Sequence, residues 1–409
     1  MKRVLNKINY NYFFLKLVEL FSAIYNRTLR KNINQKLLIF GGDHFSDNSK
    51  YLFLYLNSFS SYRIIWLSKF KDVVYTLRKG GFEAYKRFSL KAFFLLLKAK
   101  YIFITHTLTD ILPVNLNPYT KLIYLAHGIP FKTTNFDVKN FQSLFPTKFQ
   151  LEIIFKMFKT TEYHISCSDN FHAILSNAYR ISKKRVISTG YPRNDILFIN
   201  DRQYISKIYE KNKIPRSIER IILYAPTFRE EKVAKFPLDR QLLNKLNKVL
   251  KESKSILLLK AHKFEQIIDF KTLENIKIVD KNQDIMNLLL ISDILITDYS
   301  SVFLDYILTL RPIIFFAYDL ESFRKLRGFY YGYESFIPGP LVKDGIELIE
   351  KIKTISIWAP KYKDQLIKVK NFSHKYQDGN SCYRICKYLH LKLDPEKIKY
   401  QKKWYNFDI

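Results

Sequence analysis

The chain has three cysteines in 409 residues: Cys167, Cys382 and Cys386. So few cannot build a disulfide-stapled scaffold. Cys382, Cys386 and His390 follow one another at intervals of four on an expected helix, which fits no usual zinc pattern and brings no second ligand pair. All three are expected to be reduced, buried thiols. Long apolar runs are also missing. A spanning helix needs roughly 18 uncharged apolar residues. The nearest candidates are 93–104, broken by Lys98 and Lys100, and 12–24, broken by Lys16 and Glu19. The N-terminus shows no small-residue cleavage site of a secretory signal, so a cytoplasmic location is expected. There is no internal repeat and no low-complexity tract.

Acidic residues are scarce: 37 against 68 basic ones, a formal net charge of +31. A chain this basic is drawn to polyanions. Nucleic acid, an anionic membrane surface, or an anionic polymer with a nucleotide donor would each fit, as would a coding bias towards lysine. No nucleic-acid-binding module accompanies the charge, so no nucleic-acid partner is expected. Hydrophobic residues make up 47%, enough for packed cores. The length suggests two domains.

The chain is organised around the stretch 291–316, ISDILITDYSSVFLDYILTLRPIIFF. Residues 294–296 form an apolar run ending in Thr297 and Asp298. Val302, Phe303, Tyr306, Ile307 and Leu310 recur at helical spacing, and 313–316 is a second apolar run. This reads as strand, turn, helix, strand in a parallel sheet. Ser300 or Ser301 then falls at the helix N-cap, where free N–H groups and the positive dipole end favour phosphate. Taken alone, the segment favours plain capping, the commoner use of serine.

Further strands are expected at 37–40, 63–67, 101–105, 122–125, 165–168 and 186–190, with helices at 73–79 and 90–98 between them. In the second half, strands are expected at 221–224, 256–259 and 276–279, and a helix over 284–291. Strands alternating with helices indicate doubly wound sheets, whose ligands sit at the carboxyl ends of the strands. The run 122–125 delivers His127 and Gly128 there. The boundaries expected are a basic amphipathic segment over 1–36, a first domain over 37–205, a second over 215–385, and a basic, aromatic tail over 386–409. Phe14, Leu17, Val18, Phe21 and Ile24 share one helical face, which suits either an anionic bilayer surface or packing on the chain's own domain. The tail suits a membrane interface or a frayed terminus.

The stretch 291–321 resembles the C-terminal signature of the CDP-glycerol glycerophosphotransferases, which prime and polymerise teichoic acids and related capsule polymers. Other stretches match in the family's order: SDNSK at 46–50, HGIP at 127–130, GYPRND at 190–195, LYAPTFRE at 223–230, KAH at 260–262, RGFY at 327–330, PGP at 338–340 and DGNS at 378–381. Each is weak alone; together, in order over about 40–385, they are specific. The resemblance implies an α/β, GT-B-like fold: two Rossmann-like domains facing across a cleft, the donor held by the second. It implies CDP-glycerol (or CDP-ribitol) as donor and a lipid-linked or polymeric acceptor; no tightly bound cofactor and no metal site are expected, and the charge with the basic N-terminal segment points to an anionic membrane surface at the inner face of the cell membrane.

Such transfer is displacement at phosphorus, in which positioning and charge stabilisation matter most. His127 corresponds to the family's proposed base, a residue type whose pKa suits the task. Gly128 beside it lets the backbone approach a ligand. His262 is expected at the diphosphate or the leaving phosphate. Lys260 stands where the family usually has arginine, keeping the charge but losing the planar fork. Thr227, Arg229, Thr297, Asp298, Ser300 and Ser301 are the expected donor contacts. Arg193, Asn194 and Asp195 are expected to stabilise the interdomain turn, and Arg311 to pair with Asp305 or Asp319. A sugar-nucleotide glycosyltransferase on the same fold is the competing enzyme class. Ser300 and Ser301 in the turn, and the lack of glycines at 310–312, argue against it. A non-enzymatic basic binding protein would leave His127, His262 and the 298–301 turn unexplained.

Overall fold

A computed structural model describes residues 12–28, 32–139, 141, 147–227, 237–260, 272–280, 282–399, 404, 405 and 407. The chain divides into two compact units: Met1–His127 with Thr134–Asp195 and Asn380–Ile409, and Gly128–Thr133 with Ile196–Gly379.

The first unit is built on seven parallel strands: β1 (Asn34–Gly41), β2 (Arg63–Ser68), β3 (Glu83–Lys86), β4 (Ala99–Ile104), β5 (Lys121–Tyr124), β6 (Thr161–Ser166) and β7 (Val186–Ser188). Their order is β3-β2-β1-β4-β5-β6-β7. Central strands covered on both faces need continuous apolar runs; Leu37, Leu38, Ile39 and Phe40 of β1 are all buried. β3 has no such run. It lies at the edge, where Glu83 takes two hydrogen bonds from Arg63 of β2, at 2.8 and 2.6 Å.

The second unit holds six parallel strands: β8 (Arg220–Tyr224), β9 (Ser255–Leu259), β10 (Ile276–Ile278), β11 (Ile294–Thr297), β12 (Ile313–Phe316) and β13 (Leu341–Val342), ordered β10-β9-β8-β11-β12-β13. In both sheets the order reverses beside the first strand, between β1 and β4 and between β8 and β11. Loops leaving the carboxyl ends at such a switch diverge and open a crevice.

Several expectations shift. The helix Arg202–Lys211, which falls across the expected end of the first domain at 205, belongs to the second unit. Asp201 caps it by accepting from the N–H groups of Gln203 and Tyr204, and the Tyr204 hydroxyl donates to Asn287 at 2.8 Å inside the second unit. The chain therefore crosses between units at 195 and 196, and it returns at 379 and 380, ahead of the helix Ser381–Tyr388. Among the described residues of the C-terminal tail, Trp404 and Phe407 pack on the chain's own first unit. Trp404 packs edge-on against Tyr51 and Tyr55, and Phe407 against Phe82.

The helix Tyr12–Thr28 rests on the first unit through its polar side. Lys16 pairs with Glu152 at 2.9 Å, Lys156 with Glu19 at 2.8 Å, and the Asn26 amide donates to the Asn115 carbonyl at 2.6 Å. Of the expected apolar face, Phe21 and Ile24 are exposed, as is neighbouring Leu20, while Leu17 and Val18 are half-buried and the Phe14 side chain lies outside the described residues. Residues 1–11 and 29–31 of the expected N-terminal segment lie outside the described residues. Among the described residues no helix is long and apolar enough to cross a membrane. The three cysteines are free and buried.

Candidate active site

In the first unit, three of the sequence motifs meet at the carboxyl ends of β1 and β5. Ala126, just before His127, adopts φ +58, a left-handed conformation that costs a residue with a side chain roughly 1–2 kcal/mol. Asn48 stabilises that turn. Its buried amide donates to the carbonyls of Leu125 and Ala126, at 3.0 and 2.7 Å. The Asn48 Oδ1 accepts the N–H of Arg193 at 3.1 Å. The Arg193 guanidinium Nη1 donates to the Asp47 carboxylate at 2.7 Å and to the His127 carbonyl at 2.8 Å. The backbone of His127 is thus tied down while its side chain remains exposed.

Arg193 does not simply brace the interdomain turn: it holds the loop of the candidate base. Asp195 has a different task. Its oxygens accept the N–H groups of Ser381 and Cys382, both at 2.8 Å, at the start of the helix Ser381–Tyr388. Burial pushes its carboxyl up to about 6, against the opposing pull of those two donors.

His106 and Asp110 were not singled out by sequence. His106 follows β4, and its ring stacks on that of His127 with centroids 5.4 Å apart. Its Nδ1 lies 3.5 Å from Asp110. A histidine and an aspartate four apart after an apolar run were the available signal, but nothing in that spacing placed them beside position 127.

In the second unit, Asp298 organises the turn after β11. Its Oδ1 accepts from the backbone N–H of Thr227, Tyr299 and Ser300, at 2.7, 2.5 and 3.3 Å. The Thr297 hydroxyl donates to the Ala225 carbonyl at 2.8 Å. The loops after β8 and β11 are thereby joined at the switch point, and Thr297 and Asp298 spend their hydrogen bonds on that joint. The helix beyond is short, Val302–Tyr306, with a 3-10 turn following. Ser301 stands at its N-cap position, yet its side chain makes no capping bond. The half-buried Ser300 hydroxyl accepts from the Val302 N–H at a long 3.4 Å. Plain capping therefore accounts for neither serine well.

Lys260, at the end of β9, turns its ammonium to the backbone carbonyls of Asp280 and Gln283. Burial lowers its pKa to about 8, against the pull of Asp284 and Asp280. Arg311 donates to the carbonyls of Leu290 and Ser292, at 2.9 and 2.6 Å, and not to either expected aspartate. Asp319 instead accepts from the Tyr299 hydroxyl at 2.9 Å. Gly128 opens the segment Gly128–Thr133, in which buried Phe131 packs edge-on against Phe303 at 5.1 Å and the Thr133 N–H donates to the Gly328 carbonyl at 2.9 Å. Arg229 and His262 lie outside the described residues. Among the described residues, no group of three or more His, Cys, Asp or Glu side chains is placed to hold a metal ion.

The family model for CDP-glycerol:poly(glycerophosphate) glycerophosphotransferases matches residues 23–391. The chain belongs to this family. It is similar to the teichoic acid glycerol-phosphate transferase of Staphylococcus aureus (strain NCTC 8325 / PS 47), 32% identical over 388 residues, covering 91% of this chain and 97% of that protein. It is 31% identical over 361 residues to the teichoic acid poly(glycerol phosphate) polymerase of Staphylococcus epidermidis (strain ATCC 35984 / DSM 28319 / BCRC 17069 / CCUG 31568 / BM 3577 / RP62A), covering 84% of this chain but 49% of that longer one. Ribitol-phosphate polymerases of S. aureus are further relatives. The solved wall teichoic acid polymerase TagF superposes with a TM-score of 0.80 at 28% identity, over 95% of this chain and 96% of that one. The two sheets with their helices are accordingly the α/β, GT-B-like fold of a transferase family.

Proposed function

We propose that this protein transfers glycerol phosphate from CDP-glycerol to a hydroxyl at the end of a lipid-linked or growing polymer acceptor, in the biosynthesis of a teichoic acid-like or capsular polymer. The reading rests on one observation above all. In a chain of this family, His127 is held beyond the carboxyl end of β5 by Asn48 and Arg193, with its side chain left exposed.

The chemistry follows from that placement. His127 takes the proton of the acceptor hydroxyl, and the oxygen forms a bond to the glycerol-bearing phosphorus. The bond from that phosphorus to the bridging oxygen breaks, and CMP leaves with the electron pair. A fixed backbone at His127 limits how far its ring strays from the attacking oxygen. The Ser300 and Ser301 hydroxyls are donors for the diphosphate, the Tyr299 and Ser300 N–H groups of their turn being taken by Asp298. His262, Lys260, Thr227 and Arg229 complete the donor side, His262 being assigned to the leaving phosphate. Gly128 gives room for backbone approach.

CDP-ribitol is the alternative donor, favoured by the ribitol-phosphate polymerases among the relatives. A solved TagF structure carries a CDPG soak, which supports the glycerol reading. The exposed Leu20, Phe21 and Ile24 support peripheral attachment to an anionic membrane surface at its inner face. Mass spectrometry of products, with CDP-glycerol and CDP-ribitol each offered to several lipid-linked acceptors, tests the reading. A product heavier by one glycerol phosphate is expected. Turnover of a UDP-sugar alone would overturn it.

A further inference from the structure

The histidine stacked on His127 has no part in the chemistry above. The two rings lie 20° from parallel. Ring N–H bonds lie in the ring plane, so stacked imidazoles do not hydrogen-bond to each other, and His106 cannot orient His127 as a carboxylate would. It is itself well anchored. One oxygen of buried Asp110 lies 3.5 Å from its Nδ1, and the other accepts the N–H groups of Thr105 and His106, at 2.9 and 2.8 Å. The Nε2 edge makes no hydrogen bond or ion pair among the described residues, and 48% of the side chain is exposed.

Desolvation works against charge on this ring, but Asp110, with Asp47 and Asp43 behind it, raises the pKa to about 9. Asp43 is paired with Arg87 at 3.0 Å and Asp47 with Arg193 at 2.7 Å, so Asp110 remains the larger cause of the rise. At neutral pH Nε2 therefore carries a proton to donate. The site offers two neighbouring positions: a base for a hydroxyl, and 5.4 Å away an imidazolium donor for an anion. In a polyol-phosphate chain the terminal hydroxyl and its own phosphate are separated by one polyol unit, a comparable span.

We propose that His106 binds the acceptor: its Nε2–H holds the phosphate of the terminal polyol phosphate while His127 works on that unit's hydroxyl, so that the site selects acceptors already ending in a polyol phosphate over those ending in a neutral sugar. The assignment rests on the reading of His127 as the base. His106 is an acceptor contact, distinct from the donor-side residues of the second unit.

The test uses the full chain with His106→Gln and His106→Arg. Radiolabelled transfer from CDP-glycerol is measured with two lipid-linked acceptors, one ending in glycerol phosphate and one in a neutral disaccharide, and donor affinity is measured by calorimetry. The wild-type protein should prefer the phosphate-ended acceptor. His106→Gln should raise KM for that acceptor roughly tenfold or more, the scale of one hydrogen bond to a charged group, with donor affinity and the neutral acceptor's KM unchanged. His106→Arg should recover much of the loss. An unchanged KM in His106→Gln, or an equal rise for both acceptors, overturns the proposal. A wild-type protein that transfers from neither CDP-glycerol nor CDP-ribitol overturns the transferase reading and this assignment with it.

Discussion

Arg193 donates to the main-chain carbonyl of His127 across 2.8 Å, and the same guanidinium nitrogen holds Asp47 at 2.7 Å. One buried cation thus ties the loop after β7 to the helix after β1 and to the candidate base after β5. The arrangement depends on the shape of the side chain as well as its charge.

Arg193→Lys keeps the charge and loses the planar fork. Both bonds come from one nitrogen held in place by the rigid guanidinium, and an ammonium on a shorter, flexible stem holds that position less firmly. Turnover should fall about 10- to 100-fold, the cost of misplacing a reacting group by about an ångström. Affinity for CDP-glycerol should hold. Radiolabelled transfer and calorimetry on the same preparation check both halves, and unchanged turnover would mean that Asn48 alone suffices to set the loop.

His127→Ala should lower transfer by roughly 10²–10⁴, the usual cost of removing a general base, with donor affinity within a few-fold of wild type. The proposed donor contacts lie in the second unit, so the loss should fall on the chemical step. If turnover at saturating donor survives while CDP-glycerol binding is lost, His127 is a donor contact and the base is elsewhere.

The strands that deliver this site were legible because a buried parallel strand announces itself as an apolar run. The edge strand β3, Glu83–Lys86, was not: its four residues are held by pairing and by the Arg63–Glu83 ion pair. The site's own bonds were the least legible. Asp47 and Arg193 are 146 positions apart, and a contact between two loops leaves no periodicity in either. Arg311 was expected to find a carboxylate and found the carbonyls of Leu290 and Ser292 near the end of the helix Ile285–Ile291. Trp404 and Phe407 show a limit of composition: a basic, aromatic tail reads the same whether its rings face lipid or its own domain.

The double substitution Ser300→Ala with Ser301→Ala should weaken CDP-glycerol binding, each lost bond to a charged oxygen being worth about 1.5–3 kcal/mol. The melting temperature should stay near wild type, because Ser301 makes no capping bond and that of Ser300 is long. Calorimetry and thermal unfolding separate the two effects. A lower melting temperature with unchanged affinity would return the serines to a purely structural role.

Asp195 predicts a pH signature in stability. Its carboxyl is raised from an ordinary 3.8 to about 6 by burial, so the folded state binds the proton more tightly than the unfolded one. Its contribution is complete below about pH 4 and declines as pH rises to about 6, by a total on the order of 3 kcal/mol. Urea unfolding of wild type and Asp195→Asn across this window should show the wild type losing stability relative to the variant. A constant difference would mean that the N–H groups of Ser381 and Cys382 already compensate the buried charge.

The N-terminal helix docks by its polar side and leaves part of its apolar side open. Leu20, Phe21 and Ile24 are 56, 61 and 50% exposed, and nearby Phe94, edge-on to Tyr25, is 47% exposed. On the proposed peripheral attachment, this exposed face is the part that inserts. Electrostatic attraction of basic residues to anionic lipid is screened by salt, whereas insertion of apolar side chains is nearly insensitive to salt. The two contributions are therefore separable. Phe21→Ser with Ile24→Ser should weaken binding to anionic liposomes at low and at high salt alike. Burial of each side chain is worth about 1.5–3 kcal/mol, so the loss should exceed tenfold. Raising the salt should weaken wild type and variant by the same factor, and the fold should be undisturbed because neither side chain is buried. Co-sedimentation measures this directly, with a chain beginning at Gln35 as the reference lacking the whole helix. Equal binding by wild type and the double variant would leave charge alone as the attraction and remove this helix face from the account.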